Sequence, residues 1–526
     1  MTDEQFEAIV KQYNALATTR PDAYRRRMWL LVVLGDLYLG LVLLAIFAFQ
    51  AAVLFGMAKE LRATGQIGWQ TALCLPALIW TIWLVYELIR LKGVRKAEVG
   101  IPLTAKQAPE LFTLIDAFCR AANAPPVRHV LIMDTFYAGV EQLPRLGLFG
   151  WHQRKLLLGL PMLKCLTVEQ FKVVLAHELG HIAHGPNTLA RLVYQKLLRW
   201  IGLGDSLSDD LRYFPFLPFV KRFVPYISSC SYPLFRMSEY EADAVSVRLV
   251  SREAAVEMLC VSAAIERYLE EYYWPHVRRL ANELPEPVAP YLLLGRKFTD
   301  EVSTAWAMHW AAVDMAKETV LTETHPSMQD RLKALQATPR IVLAAAGQNA
   351  EGLLGSALQP VTAQMDREWQ DKNRTWWVER YQRVHNDRRQ FDELNARAAS
   401  GAVLSVEEAY QRAQLTWSLG RNEEETLRQL LALYHRAKEH PLASFGLGAW
   451  LLNRYDAEDQ YDAEDGYALL EQAMRLDAQF TARCCELLRD YCLEQGYEER
   501  AQEWDAKLQA RLQLHEAGKQ EGAAGE

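Results

Sequence analysis

Two histidines four residues apart carry the clearest chemical signal in the 526-residue chain. His177 and His181 belong to the segment His-Glu-Leu-Gly-His, which follows the capping-box sequence Thr167-Val-Glu-Gln and therefore lies on a predicted helix. A spacing of four places both imidazoles on one helix face, where they can bind the same metal ion. Glu178 follows the first histidine and can reach a metal-bound water without being a ligand. The segment predicts a hydrolytic metal centre that still lacks a third ligand.

A second acidic segment, Glu-Tyr-Glu-Ala-Asp at residues 239–243, offers the missing ligand. Glu239 and Asp243 are four residues apart. On a helix, one of these carboxylates can therefore bind the metal while the other orients a ligand imidazole through its free N–H. Glu241 does not share a helix face with Asp243. We therefore predict that Glu239 is the ligand and that Asp243 holds one of the histidines.

His184 is a further histidine close to the first motif. A metzincin would have Gly at position 184 and His at position 187, but this chain has His184 and Asn187 there, which excludes that type of site. A catalytic zinc takes three protein ligands and keeps one position open, so a fourth imidazole would abolish function. We expect His184 to form hydrogen bonds instead.

Together these motifs resemble the membrane-associated zinc endopeptidases that include HtpX and the CaaX prenyl proteases. The resemblance covers about residues 100–340 and extends to shorter matches: Ala108-Pro-Glu-Leu, Leu175-Ala before the first ligand, and Thr324-His-Pro-Ser with Arg331-Leu. It implies a gluzincin-type zinc peptidase domain with one Zn²⁺ ion per chain and three metal ligands: His177, His181 and Glu239. Glu178 would be the catalytic base, and His325 and Arg331 would help to stabilise the oxyanion.

The resemblance also implies a membrane-anchored, zinc-dependent metalloendopeptidase. Such an enzyme hydrolyses internal peptide bonds of protein substrates, in membrane-protein quality control or processing. An extended substrate would add to an edge strand near residues 127–134 or 155–160. The main alternative is a membrane-tethered helical-repeat adaptor with a non-catalytic zinc site. A structural zinc site, however, would be expected to have four ligands and no adjacent glutamate.

Two long apolar segments near the N-terminus predict transmembrane helices. Residues 28–58 contain one charge, Asp36, and residues 67–86 contain none, and each segment is at least as long as the roughly 20 residues that cross a bilayer. Basic residues cluster on the outer flanks of this pair: Arg20, Arg25, Arg26, Arg27, Arg90, Lys92, Arg95 and Lys96. By the positive-inside rule both long flanks face the cytoplasm, which predicts a multi-pass protein of the cell inner membrane. We expect Asp36 to have a structural role.

A segment rich in Phe and Pro lies between the two metal-binding motifs, at residues 211–235. Lys221 and Arg222 interrupt its apolar run, so the sequence does not predict a third full membrane span. HtpX-like proteins carry two further spans in this position. Two interpretations stay open for this chain: an interfacial or substrate-covering segment, and a buried loop.

The predicted fold class is mainly α with a small β-sheet. Short apolar runs at 127–134 and 155–160 are typical of strands, while 239–284 and 300–337 show long helical patterns. Thr104-Ala-Lys-Gln is another capping box and predicts that a helix begins there. Six regions are expected: a cytoplasmic N-terminal segment (1–27), two transmembrane helices (28–92), the zinc metallopeptidase domain (100–340), a linker and charged helix (341–400), tetratricopeptide-like helical hairpins (401–514) and a disordered tail (515–526).

The composition of the chain indicates which classes of binding partner to expect. A net charge of -7 and a pI near 6.0 argue against wholesale nucleic-acid binding, which needs a basic face. Eight cysteines without a CxxC pair are typical of small buried hydrophobes in a reducing compartment. The expected partners are protein or peptide substrates associated with the membrane, the lipid bilayer itself, and proteins bound by the C-terminal helical repeats.

Overall fold

The computed structural model divides the chain into two compact units, residues 1–279 with 288–372 and residues 280–287 with 373–526. The residues described are 2–65, 76, 79–82, 100–144, 152–183, 188–207, 216, 219–420, 422–453 and 463–523. Most of these residues are helical, and one small sheet occurs among them. The predicted class, mainly α with a small sheet, is confirmed.

The first unit begins with two helices, α1 (Asp3–Thr19) and α2 (Pro21–Thr64). A mixed region follows: β1 (Ile101–Leu103), α3 (Pro109–Ala121), β2 (His129–Met133), β3 (Ala138–Pro144), β4 (His152–Gly159), α4 (Leu160–Cys165), α5 (Val168–Ile182) and α6 (Thr188–Leu207). The rest is helical: a π-helical turn (Phe219–Phe223), α7 (Val224–Leu249), α8 (Arg252–Arg267), a second π-helical turn (Tyr268–Tyr273), α9 (Trp274–Arg279), α10 (Pro290–Glu301), α11 (Thr304–Met315), α12 (Met328–Ala334) and a 3-10 helix (Ala350–Ala357).

The sheet has the strand order β1-β2-β4-β3. β2 and β4 are parallel, with Leu131 opposite Leu157, and β1 and β3 pair antiparallel on the outside. The two predicted strands are central because their leucines are buried on both sides of the sheet. The expectation of an edge strand near 127–134 or 155–160 is therefore wrong, since the edges are β1 and β3.

The two capping boxes have different outcomes. Thr167 and Gln170 exchange the expected hydrogen bonds at the start of α5 (Thr167 N to Gln170 Oε1 3.0 Å, Gln170 N to Thr167 Oγ1 3.2 Å). Thr104 donates to Gln107 in the same way, but it closes a turn, and α3 begins only at Pro109. The residue before a proline is disfavoured in the helical region, so a helix from Thr104 cannot continue through that point.

The histidine helix α5 and the long helix α7 pack closely along their length. A Cβ atom built on Gly180 would lie 3.1 Å from the Ala242 Cα, which shows how near the two backbones come. α7 begins at Val224, well before the helix predicted from residue 239, and it contains Pro233. Buried Ile227, Cys230 and Leu234 are spaced three or four apart, and their burial stabilises these early turns despite poor intrinsic helix propensity.

Helix α2 is the one helix among the described residues that is long and apolar enough to cross a membrane. Its 44 residues have large exposed hydrophobic side chains along the second half, such as Phe47 and Phe55. Its first half packs against α6 and α7, and Asp36 forms an ion pair with Lys196 of α6 at 2.6 Å. The second predicted span, residues 67–86, lies largely outside the described residues, of which 76 and 79–82 are helical.

The Phe- and Pro-rich segment has a turn at Phe216 and is helical from Phe219 onward. Phe219 belongs to the π-helical turn, stacks on Tyr38 of α2 and contacts Trp200 of α6 edge-on. Residues 224–235 form the first turns of α7. From Phe219 onward the segment is therefore helix and not loop, and it continues into the helix that carries the acidic motif.

Residues 341–357, the first part of the predicted linker and charged helix (341–400), contact residues at the start of α5. Asn349 forms an isolated β-bridge with Thr167, and the Ala350 N–H donates to the Leu166 carbonyl at 2.9 Å. The side chain of buried Gln170 donates to the Val342 carbonyl at 2.8 Å. The segment thus belongs to the packing of the first unit.

The second unit contains the last part of α13 (Leu358–Ala399) and a series of shorter helices. They are α14 (Val406–Gly420), α15 (Glu423–Arg436), α16 (Pro441–Leu452), α17 (Ala463–Leu476), α18 (Thr481–Glu494) and α19 (Glu498–Ala523). Successive helices pack on each other around buried side chains such as Phe445, Leu470 and Leu488. α19 continues to Ala523, through most of the 515–526 segment for which the sequence predicts disorder.

We expect the substitution Gly180→Val to lower stability, because the added side chain would meet the α7 backbone. Overpacking of this kind costs about 1–3 kcal/mol of unfolding free energy. The control is Gly295→Ala in α10, where an added Cβ meets no atom closer than 3.5 Å. Thermal unfolding of the detergent-purified protein measures both. A Gly180→Val protein as stable as the control would contradict the close approach of the two helices.

Candidate metal centre

Three predicted ligands from two separate helices meet in the first unit. His177 and His181 lie on α5 and Glu239 lies on α7, and one ligand atom of each lies within 4.8 Å of the others. The two Nε2 atoms are 3.1 Å apart. His181 Nε2 is 3.3 Å from Glu239 Oε1, and His177 Nε2 is 3.5 Å from Glu239 Oε2. The two motifs are far apart in the sequence, so the contact is a product of the α5–α7 packing.

The geometry of this cluster fits a zinc ion. In a tetrahedral site with bonds of about 2.0–2.1 Å, neighbouring ligand atoms are about 3.3–3.4 Å apart. The two Nε2 atoms are 3.1 Å apart, and each ring has a different Glu239 oxygen nearest to it, at 3.3 Å (Oε1) and 3.5 Å (Oε2), so the separations are close to that value. Glu239 is 5% exposed, and its Oε2 atom is buried without a hydrogen-bond partner of good geometry. The charge of such a buried carboxylate must be balanced, by a protonated imidazole or by a metal ion, and two imidazole nitrogens with one carboxylate form a typical three-ligand catalytic zinc set.

Each imidazole is oriented by its other nitrogen. His177 Nδ1 lies 3.0 Å from Asp243 Oδ1, and His181 Nδ1 lies 3.2 Å from Ser238 Oγ. If each Nδ1 carries the proton and donates it, each Nε2 presents a lone pair to the metal. The predicted partner Asp243 is thus where the helical spacing expects it. The sequence does not predict Ser238, since a serine beside an acidic segment gives no signal of its own.

Asp243 is held in turn by Arg331 of α12. The guanidinium donates from Nε to Oδ2 at 2.9 Å and from Nη2 to Oδ1 at 2.5 Å, a bidentate pair in which both side chains are largely buried. Burial alone would raise the pKa of Asp243, but the contacts with Arg331 and His177 outweigh it and lower that pKa. Asp243 is therefore a carboxylate that accepts hydrogen bonds from both neighbours.

The carboxylates also govern the protonation of the cluster. Burial by itself would lower the pKa of His177, but the contacts with Asp243 and Glu239 raise it to about 9. Without a metal, a proton on the imidazole therefore balances the buried charge of Glu239. Metal binding must displace that proton, which couples metal affinity to pH.

Glu178 lies within electrostatic reach of His177, His181 and Glu239, and its pKa is raised. Burial is the main cause, and His177 and His181 oppose it. Tyr137, just before β3, is within electrostatic reach of Glu178, and burial also raises its pKa. A glutamate with a pKa raised from its usual value, beside two metal-binding imidazoles, is suited to accept a proton and return it.

His325 and Arg331 approach the cluster differently. His325 lies between α11 and α12, with Nδ1 3.1 Å from Glu239 Oε2, and its side chain is 71% exposed. The contact with Glu239 is the main cause of its raised pKa. Arg331 is 15% exposed, and its Nη1 lies 4.0 Å from the same oxygen. His184 lies outside the described residues.

Comparison with known protein families identifies the domain. Residues 147–339 match the model of peptidase family M48, whose members are zinc-dependent peptidases. No curated protein sequence matches the chain. The match contains the two histidines and Glu239, together with His325 and Arg331. The chain therefore carries a peptidase domain of family M48, the HtpX and CaaX protease type, and it is a zinc metallopeptidase.

Proposed function

We propose that the protein is a membrane-anchored metalloendopeptidase that hydrolyses internal peptide bonds of membrane-associated protein substrates, in quality control or processing. One observation carries this proposal. Two helices far apart in sequence bring two imidazoles and one buried carboxylate together, with one ligand atom of each within 4.8 Å of the others and with Glu178 within electrostatic reach. A catalytic zinc site has three protein ligands and an open position, whereas a structural site has four.

His177, His181 and Glu239 would hold the zinc. When bound, zinc lowers the pKa of a coordinated water to about 7 and polarises the scissile carbonyl. Glu178 accepts a proton from the attacking water and donates it to the leaving amine. Its partly buried position raises its pKa, and this brings the base closer to neutral pH.

The two oxyanion candidates receive different roles in this proposal. The resemblance implies that both His325 and Arg331 stabilise the oxyanion. Arg331 already donates two hydrogen bonds to Asp243, from Nε and from Nη2. It therefore fixes Asp243 and, through Asp243, the His177 ring. His325 has an exposed ring beside the cluster, and it is the group that can turn toward substrate.

The sheet edge next to the histidine helix gives a substrate-binding surface. β3 is an outer strand and packs against α5. An extended peptide can add to such an edge through backbone hydrogen bonds, which do not depend on the identity of its side chains. Tyr137 stands at the start of this strand with 49% of its surface exposed, and it is the side chain we expect to contact residues near the scissile bond.

Membrane anchoring is supported by α2 and its surroundings. The second half of the 44-residue α2 exposes large apolar side chains such as Leu54 and Phe55, although Ile46 is buried and Gln50 donates to Thr81. Asp36, the single charge of the apolar stretch, is neutralised by Lys196. We propose that α2 spans the inner membrane, together with a second span from residues 67–86, and that the catalytic domain faces the cytoplasm.

The paired helices of the second unit suggest how partners are recruited. α14 packs on α15, α16 on α17 and α18 on α19, as in tetratricopeptide-like hairpins. We propose that these hairpins bind protein partners or substrates.

We expect Glu178→Gln to retain zinc and to lower kcat by about 10²–10⁴-fold, the usual contribution of a general base. The control is Glu169→Gln, an exposed residue on the same helix that pairs with Lys172. Cleavage of casein by the detergent-purified protein and zinc content by atomic absorption measure the two effects. Wild-type cleavage by Glu178→Gln would contradict the assigned base, and a chelator-resistant activity would contradict the zinc mechanism.

We expect Glu239→Gln to lose zinc and Glu241→Gln to keep it, although the two residues are neighbours in the same motif. Glu241 instead pairs with Arg25 at 2.9 Å. Asp243→Asn should weaken zinc binding by about 10–100-fold, as expected for a residue that orients a ligand. Competition with a zinc-binding dye measures all three affinities. Zinc loss in Glu241→Gln alone would overturn the ligand assignment.

We expect the full chain to remain in the membrane fraction after a carbonate wash. The double substitution Leu44→Arg and Phe47→Arg places two charges on exposed positions of α2, and each costs about 2.5–3.5 kcal/mol at the centre of a span. The control is Leu476→Arg with Leu493→Arg, two exposed leucines of the second unit. A wild-type protein that carbonate extracts, or equal membrane retention of both double variants, would contradict the anchor.

A further inference from the structure

A buried arginine on the zinc-ligand helix reaches the loop that carries His325. Arg236 lies three residues before Glu239 on α7 and is 6% exposed. Its Nη1 donates to the Leu321 and Glu323 carbonyls, both at 2.8 Å. Its Nη2 donates to Asn14 Oδ1 of α1 at 2.9 Å. The acceptors of these three bonds are neutral oxygens, so the arginine acts here as a multiple donor of fixed geometry and not as half of an ion pair.

Few side chains of this loop are buried, and Pro326, directly after His325, is the one that is. The loop runs from residue 316 to 327 between α11 and α12, and Val320, Glu323 and His325 are exposed. A cavity of about 570 Å³ lies beneath it, between α1, α7 and α12, and is lined in part by Thr319 and Leu321. Apolar packing therefore does not fix the loop on that side. Thr319 accepts from the Ser327 N–H at 2.8 Å and donates to Asp330 at 2.7 Å, which holds the two ends of the loop together. In its middle, the Glu323 N–H donates to the Val320 carbonyl at 3.0 Å, a bond within the loop that does not attach it to the helices.

The bonds from Arg236 fix this middle part, at carbonyls four and two residues before His325. A shift of the Leu321 and Glu323 carbonyls would move the His325 ring away from its position 3.1 Å from Glu239 Oε2. Arg236, which binds the loop, and Glu239, which contacts His325, lie one turn apart on the same helix, α7.

We propose that Arg236 is a positioning residue for the peptidase reaction. Its hydrogen bonds to the Leu321 and Glu323 carbonyls hold the loop and thereby fix the position of His325. Asn14 of α1 orients Arg236 for this role. The inference rests on the proposed function, since it gives His325 a part in the reaction. It assigns the N-terminal helix to the catalytic apparatus, although that helix lies outside the region of the family match.

Arg236→Lys tests the proposal, because lysine keeps the charge but cannot donate along the three directions of a guanidinium. The expected result is a kcat lowered about 10–100-fold by misplacement of a reacting group, with KM and zinc content close to those of the wild type. Asn14→Ala, which leaves α7 intact, should give a smaller loss of the same type. Arg380→Lys is the matched control, since this half-buried arginine of the second unit also donates to an asparagine, Asn282.

A double-mutant cycle with His325→Ala separates positioning from a general loss of structure. Alone, His325→Ala should lower kcat by about 10²–10³-fold, as for an oxyanion donor. If Arg236 acts through His325, then Arg236→Lys lowers kcat no further in that background. The same fold-loss in both backgrounds, or full activity of the single Arg236→Lys variant, overturns the proposal. Full activity of His325→Ala would instead reject the role of His325.

Hydrogen–deuterium exchange gives a readout that does not depend on activity. Arg236→Lys and Asn14→Ala should speed exchange in a peptide covering residues 317–327 while α5 keeps the wild-type rate. Unchanged exchange in that peptide in both variants overturns the proposal even if the enzyme is active. If the wild type hydrolyses no substrate, the proposed function fails, and the exchange result still decides whether Arg236 holds the loop.

Discussion

The close packing of α5 against α7 is the constraint on which the site depends. Gly180 leaves room for the Ala242 backbone, and at this distance the imidazoles of one helix reach the carboxylate of the other. The burial that brings them together also removes water from Glu239, so its charge must be balanced by a proton on His177 or by a metal ion. Packing, electrostatics and metal binding are thus parts of a single arrangement.

Much of the site can be predicted from the sequence because its information is local. Helical spacing relates His177 to His181 and Glu239 to Asp243, and the same spacing is enough to prefer Glu239 over Glu241 as the ligand. The contacts that cross between distant elements cannot be predicted in this way. Arg331 binds Asp243 because α12 packs beside α7, and a single sequence contains no signal for that choice of partner.

The fold also divides into local features that the sequence predicts and long-range packing that it does not. The capping box at Thr167 predicts the start of α5 correctly, whereas the one at Thr104 is overruled by Pro109. The strands at 127–134 and 155–160 are recognisable by their apolar runs, but their central place in the sheet depends on β3, whose glycine and proline hide it from pattern reading. The early turns of α7 escape prediction because burial, and not propensity, stabilises them.

The β-bridge between Thr167 and Asn349 shows that residues beyond the family match pack against the peptidase domain. The family match stops at residue 339, yet the Val342 carbonyl and the Ala350 N–H complete the first turn of the histidine helix. A fragment cut at the end of the match would leave the amide of Gln170, which is fully buried, without its acceptor, at a cost of about 1–3 kcal/mol. Fraying would then begin about two turns from His177. The packing that supports the histidine helix therefore extends beyond the family match, to the 3-10 helix at Ala350–Ala357.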